Sequence, residues 1–199
     1  MEITAKMVKE LREATGAGIL EAKKMLEQNN GDFDKAVDAL REKGAARAAK
    51  RSGREASEGV IEVYEHPGNR VGVILELNCE TDFVARNEEF RSLAHDLALH
   101  IAAMSPQYLD KDEVPQAELD REMEVLRNQA IAEGKPAEIA DKIVAGRLSK
   151  FYEELCLLEQ TFVKDDKLKI KDLITDKIRI TGENIKVRRF ARFELGETE

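Results

Sequence analysis

Between residues 71 and 104 the apolar positions of this chain change their period from two to about three and a half. Val71, Val73, Leu75, Leu77 and Cys79 fall on alternate positions, which puts them on one face of a strand. Asn87 is a good helix cap, and Glu88 and Glu89 suit the positive end of a helix dipole. Phe90, Leu93, Ala94, Leu97, Ile101 and Met104 then follow a helical spacing, and Pro106 ends the pattern. A strand with one apolar face, followed so soon by a helix with one apolar stripe, buries both by packing one on the other. The chain is therefore expected to be α+β.

The connector between these two elements is polar except at Phe83, which directly follows Asp82. A large ring in such a connector reduces solubility unless something covers it. Two readings follow. Phe83 folds back onto its own core, or it projects as a plug that a partner protein buries.

The rest of the core can be placed around this unit. Val60, Ile61, Val63 and Tyr64 predict a partner strand, and His66-Pro67-Gly68-Asn69 supplies the turn of a hairpin over 57–80. Residues 170–180 read as a helix. Residues 184–195 partly alternate and read as a final strand returning to that hairpin. Residues 115–150 carry two narrow stripes, Leu119, Met123, Leu126 and Ala130, then Ile139, Ile143 and Gly146. Glu133-Gly134-Lys135-Pro136 stops one helix and starts the next, as in an antiparallel helical hairpin.

Residues 1–54 read as a separate three-helix module. Thr4 caps a helix that buries Met7, Val8 and Leu11. Gly16 and Gly18 mark a tight turn, and a second helix points Ile19, Ala22, Met25 and Leu26 inward. After the turn Asn30-Gly31, Asp32 caps a third helix with Phe33, Ala36, Val37 and Leu40 on one side. So small a module is marginally stable and most often serves to bind something. The segment 43–54 is basic and rich in Ala and Gly. It reads as a solvated helix tail running into a linker, or as a docking strip for an acidic surface. The expected division is thus 1–54, a three-helix module with its basic linker, and 55–199, a core made of 55–105, the hairpin 115–150 and a C-terminal part 151–199.

Composition narrows the function. The formal net charge is −8, against a general nucleic-acid binder, so no direct nucleic-acid contact is expected; RNA binding through Arg47, Lys50, Arg51 and Arg54 is the weaker contrary idea. Two widely separated cysteines suggest a reducing compartment and no metal site. The first residues lack a secretory pattern, and no apolar run approaches the roughly 20 residues that span a bilayer, so a cytoplasmic protein off the membrane is expected.

Catalytic candidates are weak. His66 lies at a turn, while His95 and His100 are about 140° apart around one helix and do not share a ligand face. Cys79 reads as a small buried hydrophobe, and Cys156 as inert, or part of a subunit contact, within Leu155-Cys156-Leu157-Leu158. A thiol- or His-dependent enzyme would require one of these thiols to be accessible with a low pKa. No nucleophile triad or phosphate-cradling loop stands out, and no cofactor is expected. Surfaces for partners fit a binding protein better than an enzyme.

Two runs carry a family resemblance. Asn78-Cys79-Glu80-Thr81-Asp82-Phe83-Val84-Ala85-Arg86, and Thr15-Gly16-Ala17-Gly18-Ile19-Leu20-Glu21-Ala22-Lys23-Lys24 before it, resemble the motifs of the bacterial elongation factor Ts family. The resemblance covers nearly the whole chain. It implies a ubiquitin-associated-like N-terminal domain, a core of sheet and helices, and an emergent helical hairpin. It also implies guanine-nucleotide exchange on the translational GTPase elongation factor Tu, a binding activity without chemical catalysis. Thr81, Asp82, Phe83 and Val84 match the family element that intrudes beside the nucleotide and dislodges Mg²⁺. Arg12, Ile19, Leu20 and Lys23 fall where the family contacts the nucleotide-binding domain of its partner. Longer members have two sheet-and-helix lobes. This chain has room for one, which implies the short form, in which two chains associate as a homodimer. The alternative is an adaptor that uses a ubiquitin-associated-like module to bind another protein without affecting nucleotides.

Overall fold

The computed structural model of the chain describes residues 3–197 apart from residue 135, and the backbone alone over 137–141. In chain order the helices are α1 (Ala5–Thr15), α2 (Ile19–Gln28), α3 (Phe33–Arg51), α4 (Asp82–Ala85), α5 (Glu88–Met104), α6 (Gln116–Ala132), α7 (Ala137–Leu155) and α8 (Ile170–Thr181). The strands are β1 (Glu58–Glu65), β2 (Val71–Cys79), β3 (Thr161–Phe162), β4 (Asp165–Lys169) and β5 (Lys186–Glu194). The fold is α+β, as expected. Two compact units divide it: Met1–Gly59 with Asn78–Arg86 and Asp172–Lys186, and Val60–Leu77 with Asn87–Lys171 and Val187–Glu199.

The first unit is built on three short helices. Thr4 Oγ1 accepts from Met7 N, and Asp32 Oδ1 accepts from Lys35 N, so both expected caps form. Gly16 ends α1 at φ 63, a left-handed conformation that glycine adopts without a Cβ penalty. Val8, Leu11, Ala17, Ala22, Met25, Leu26, Ala36 and Leu40 form the core. Met7 and Val37 only partly enter it, and Phe33 is largely outside. Ile19 is a correction. It was expected to point inward, but it is 60% exposed, because it sits in the first turn of α2 at the edge of the stripe that Ala22, Met25 and Leu26 bury.

The basic segment is not a linker up to Arg51, since α3 runs that far. Four of its five cations find partners within the unit. Lys43 and Arg47 both reach Glu21 of α2, at 2.8 and 3.0 Å. The Lys43 hydrogen bond leads in holding the Glu21 carboxyl below its usual range, against burial and with help from Arg47. Arg51 donates to Ile178 O of α8, and Arg54 pairs with Glu80. Arg179 of α8 donates to Thr15 O, and its stem lies over Gly44, where an added Cβ would meet Arg179 Cδ at 3.0 Å. Gly44 thus permits the approach of α8 to α3.

In the second unit the three strands of the antiparallel sheet lie in the order β1-β2-β5, so the last strand returns beside the hairpin as expected. Val73, Leu75 and Leu77 are buried on one face, and so are Phe90, Leu93, Ala94, Leu97 and Ile101 of α5. Arg192 of β5 reaches Ala102 O, and Glu62 of β1 reaches His95, which fixes α5 against that face. Met104 departs from the expected stripe and is exposed at the helix end.

The hairpin of α6 and α7 forms, but its seam differs from the sequence reading. Leu126, Ala130 and Val144 are buried, Ile143 is half-buried, and Met123 and Gly146 are exposed. Glycine has no side chain to bury, so the seam selects Val144 instead. Ile139 lies outside the described side chains. Arg147 clamps the other arm through Glu133 at 2.8 Å. A second small sheet, β3 with β4, was not anticipated, because its strands are too short to show a period.

Both thiols are sealed, which removes Cys156 from any subunit surface. Burial leads in pushing each thiol up to about 11, so neither is a thiolate near neutrality, as the thiol-enzyme reading required. His100 is also buried. Its Nδ1 accepts from Val163 N, and its Nε2 lies 3.0 Å from Gln160 Oε1, so a neutral ring with the proton on Nε2 satisfies both. Burial lowers its pKa, opposed by the Gln160 bond. The unfolded chain, whose histidines titrate near pH 6.5, binds this proton first. We expect the urea midpoint to hold above about pH 6.5 and to fall on acidification below it, with a weaker slope in His100→Gln. Parallel midpoint curves for the two proteins would show that His100 is not responsible.

Candidate functional site

The connector that carries Phe83 is not an irregular loop. Its backbone makes one helical turn, α4, capped by Thr81 Oγ1, which accepts from Val84 N at 3.4 Å. Thr81 O accepts from Ala85 N and from the Cys79 thiol. Val84 and Ala85 are buried, so the turn is anchored from below. Phe83 points away from this anchor and is 82% exposed. The reading in which the ring folds onto its own core is thereby overturned. Consecutive residues of a helical turn point about 100° apart, so a turn seated on Val84 and Ala85 turns Phe83 outward. Asp82 is exposed beside it and pairs with Arg86 at 2.9 Å across one turn.

A second group of residues fastens this turn. Glu183, in the connector between α8 and β5, accepts from Glu80 N at 3.2 Å, Thr81 N at 3.1 Å and Thr81 Oγ1 at 2.7 Å. In return, Asn184 N donates to Glu80 Oε1 at 2.6 Å. The buried Asn184 side chain donates to Arg54 O and Ser52 O beyond the end of α3. Sequence reasoning missed Glu183 and Asn184. They are about a hundred positions from their targets, and no local period or cap marks them.

In the same unit, α1 and α2 leave a groove of about 460 Å³ lined by Ile3, Val8, Lys9, Arg12, Ile19 and Lys23 among others. Three of the four N-terminal candidates, Arg12, Ile19 and Lys23, are thus gathered at one place. Leu20, the fourth, is 84% exposed, more than Phe83. The groove has an apolar floor and three cationic rims, a combination suited to a protein surface with an apolar anchor and acidic surroundings. Lys23 also contacts Glu27 at the surface, a pair worth little in itself.

These features can bind but offer little for chemical catalysis. No group of three or more His, Cys, Asp or Glu side chains among the described residues could hold a metal. No helix among them is long and apolar enough to cross a membrane. His66 lies at the turn between β1 and β2, as expected, and contacts Tyr64, while His95 contacts Glu62 of β1 and the Tyr64 ring.

Comparison with known proteins gives the family of the chain. The family model described as "Elongation factor TS" matches residues 1–197. An elongation factor Ts from Herpetosiphon aurantiacus is 60% identical over 196 residues, covering 98% of this chain and 99% of the relative. One from Thermodesulfovibrio yellowstonii is 57% identical over 199 residues, covering 100% and 99%. A third, from Carboxydothermus hydrogenoformans, is 56% identical over 195 residues, covering 98% and 90%. With the family model matching almost the whole chain and relatives 56–60% identical across it, the chain belongs to the elongation factor Ts family.

Proposed function

We propose that this chain accelerates GDP release from elongation factor Tu by inserting Phe83, with Asp82, beside the Mg²⁺ and phosphate site of the GTPase. The exchange role on elongation factor Tu follows from the family. The observation that carries the residue-level reading is an aromatic ring 82% exposed on a turn capped by Thr81 and tied to Glu183. An exposed ring on an unanchored loop would carry no such reading; here the residues on either side of it, Thr81, Val84 and Ala85, are hydrogen-bonded or buried. In this reading Thr81 and Val84 shape and seat the turn, while Arg12, Ile19, Leu20 and Lys23 hold the same partner through the groove of α1 and α2. An adaptor that only bound a partner through the groove would leave the exposure of Phe83 without a purpose.

The mechanism is linkage. The GTPase holds its nucleotide through a phosphate loop and Mg²⁺. A factor that binds the empty state more tightly weakens nucleotide binding by the same factor. Burying a Phe ring is worth about 1.5–3 kcal/mol, and each tenfold needs about 1.4 kcal/mol. The ring alone therefore supplies on the order of tenfold to a hundredfold. The remainder falls to Asp82, to the groove and to strain on the Mg²⁺ ligands.

A homodimer is part of the proposal. The chain has one sheet-and-helix lobe, and the sheet face away from α5 carries exposed apolar side chains. Ile61, Val63, Ile74 and Phe193 are exposed there, flanked by the Arg189–Glu76 pair. Such a patch is large for a monomer, and a matching face of a second copy would cover it.

Two measurements check these statements. Phe83→Ala should slow labelled-GDP release from elongation factor Tu by about tenfold or more, with little change in melting temperature, because the ring buries nothing within its own chain. Wild-type exchange by the folded variant would reject the plug, and equal losses of stability and exchange would restore the core reading. Sedimentation should give a dimer mass for the wild type and a monomer for Phe193→Asp. A strictly monomeric wild type would remove the two-chain arrangement.

A further inference from the structure

We propose that Glu183 is a positioning residue for exchange: its carboxylate sets the orientation in which the turn presents Phe83. The proposal rests on the plug reading above and adds a residue from a distant part of the chain. One carboxylate takes three donors, Glu80 N, Thr81 N and the Thr81 hydroxyl, all in the two residues that lead into α4. The hydroxyl acts in both directions. Its proton goes to Glu183 Oε1, and its oxygen caps the turn by accepting from Val84 N. Glu183 thereby fixes the rotamer of the cap, and the cap fixes the backbone on either side of Phe83.

Glu183 is itself held on a firm base. Gly182 N closes α8 onto Ile178 O, and Glu183 N donates to Thr181 Oγ1. The next residue, Asn184, is tied to Glu80, Arg54 and Ser52. The two segments thus exchange carboxylates: that of Glu183 serves residues 80 and 81, and that of Glu80 serves residue 184. This arrangement resists rotation of the turn better than a single bond would.

The bonds from Thr81 to Glu183 lie at the surface, where water would satisfy the same donors. Their removal therefore costs little global stability. Its main effect is to let the turn explore other orientations, so that a smaller fraction of molecules presents the ring correctly. Glutamine is the informative replacement. It keeps the shape, but its single oxygen cannot serve all three donors, and its amide group faces donors instead of accepting from them.

The experiment is a double-mutant cycle on the full chain, reading labelled-GDP release from elongation factor Tu against factor concentration. Wild type, Glu183→Gln, Phe83→Ala and the double variant are compared, with thermal unfolding of each. Glu183→Gln should lower the maximal release rate on the order of tenfold, with the half-saturating concentration nearly unchanged because the groove is intact. In the Phe83→Ala background it should have no further effect. Wild-type exchange by Glu183→Gln, or an equal slowing in both backgrounds, overturns the proposal. If Phe83→Ala exchanges normally, the plug reading itself fails, and any slowing by Glu183→Gln then has another origin. Should Glu183→Gln unfold at the assay temperature, Glu183→Asp, which keeps the charge and withdraws it by one methylene, is judged by the same two criteria.

Discussion

A buried valine and an exposed phenylalanine, adjacent on one short helical turn, set the character of this protein. Val84 seats the turn on its unit, and Phe83 must then face outward. The ring would be a liability in isolation, since it places apolar area in water with no return. Everything around it opposes relaxation of that state. Thr81 caps the turn, the Cys79 thiol supports its carbonyl, and Glu183 and Asn184 lock the entry to it. An exposed apolar group on a fixed backbone loses little conformational freedom when a partner covers it, so more of its burial energy is left for the partner equilibrium.

The same economy shows in the charges. The basic stretch that ends α3 has the composition of a nucleic-acid strip, yet Lys43, Arg47, Arg51 and Arg54 reach Glu21, Ile178 O and Glu80 within the same unit. They bind α3 to α2, to α8 and to the residue preceding the turn. The groove of α1 and α2 and the exposed ring of Phe83 are consequently parts of one compact unit. Rigidity between two contact sites on one partner is worth affinity, because the second contact then costs less than the first.

What could be read from sequence was whatever acts over a few residues. Thr4, Asp32 and Asn87 were legible as caps, because a cap is a local event. The strand from Val71 and the stripe from Phe90 were legible because their periods run long enough to be counted. Ile19 was misplaced for a physical reason. Helical spacing assigns a face but not how much of it the neighbours cover, and Ile19 sits at the edge of the stripe that Ala22, Met25 and Leu26 bury. The seam of α6 and α7 failed similarly, because one opposing helix covers only part of a stripe. The fate of Phe83 was undecidable locally, since either environment accepts a ring. It was settled by Val84 beneath it. The contacts of Glu183 had no sequence signal, because they join segments that the fold alone brings together.

The central claim is that a foreign GTPase, and not this chain, buries the ring of residue 83. Fluorine NMR of a ring label at Phe83 tests this directly, with the chain alone and after addition of nucleotide-free elongation factor Tu. The account predicts a solvent-exposed resonance in the free protein. It should move to a buried environment in the complex and return when GDP and Mg²⁺ are added. A resonance that stays solvent-exposed while the complex demonstrably forms would contradict the account.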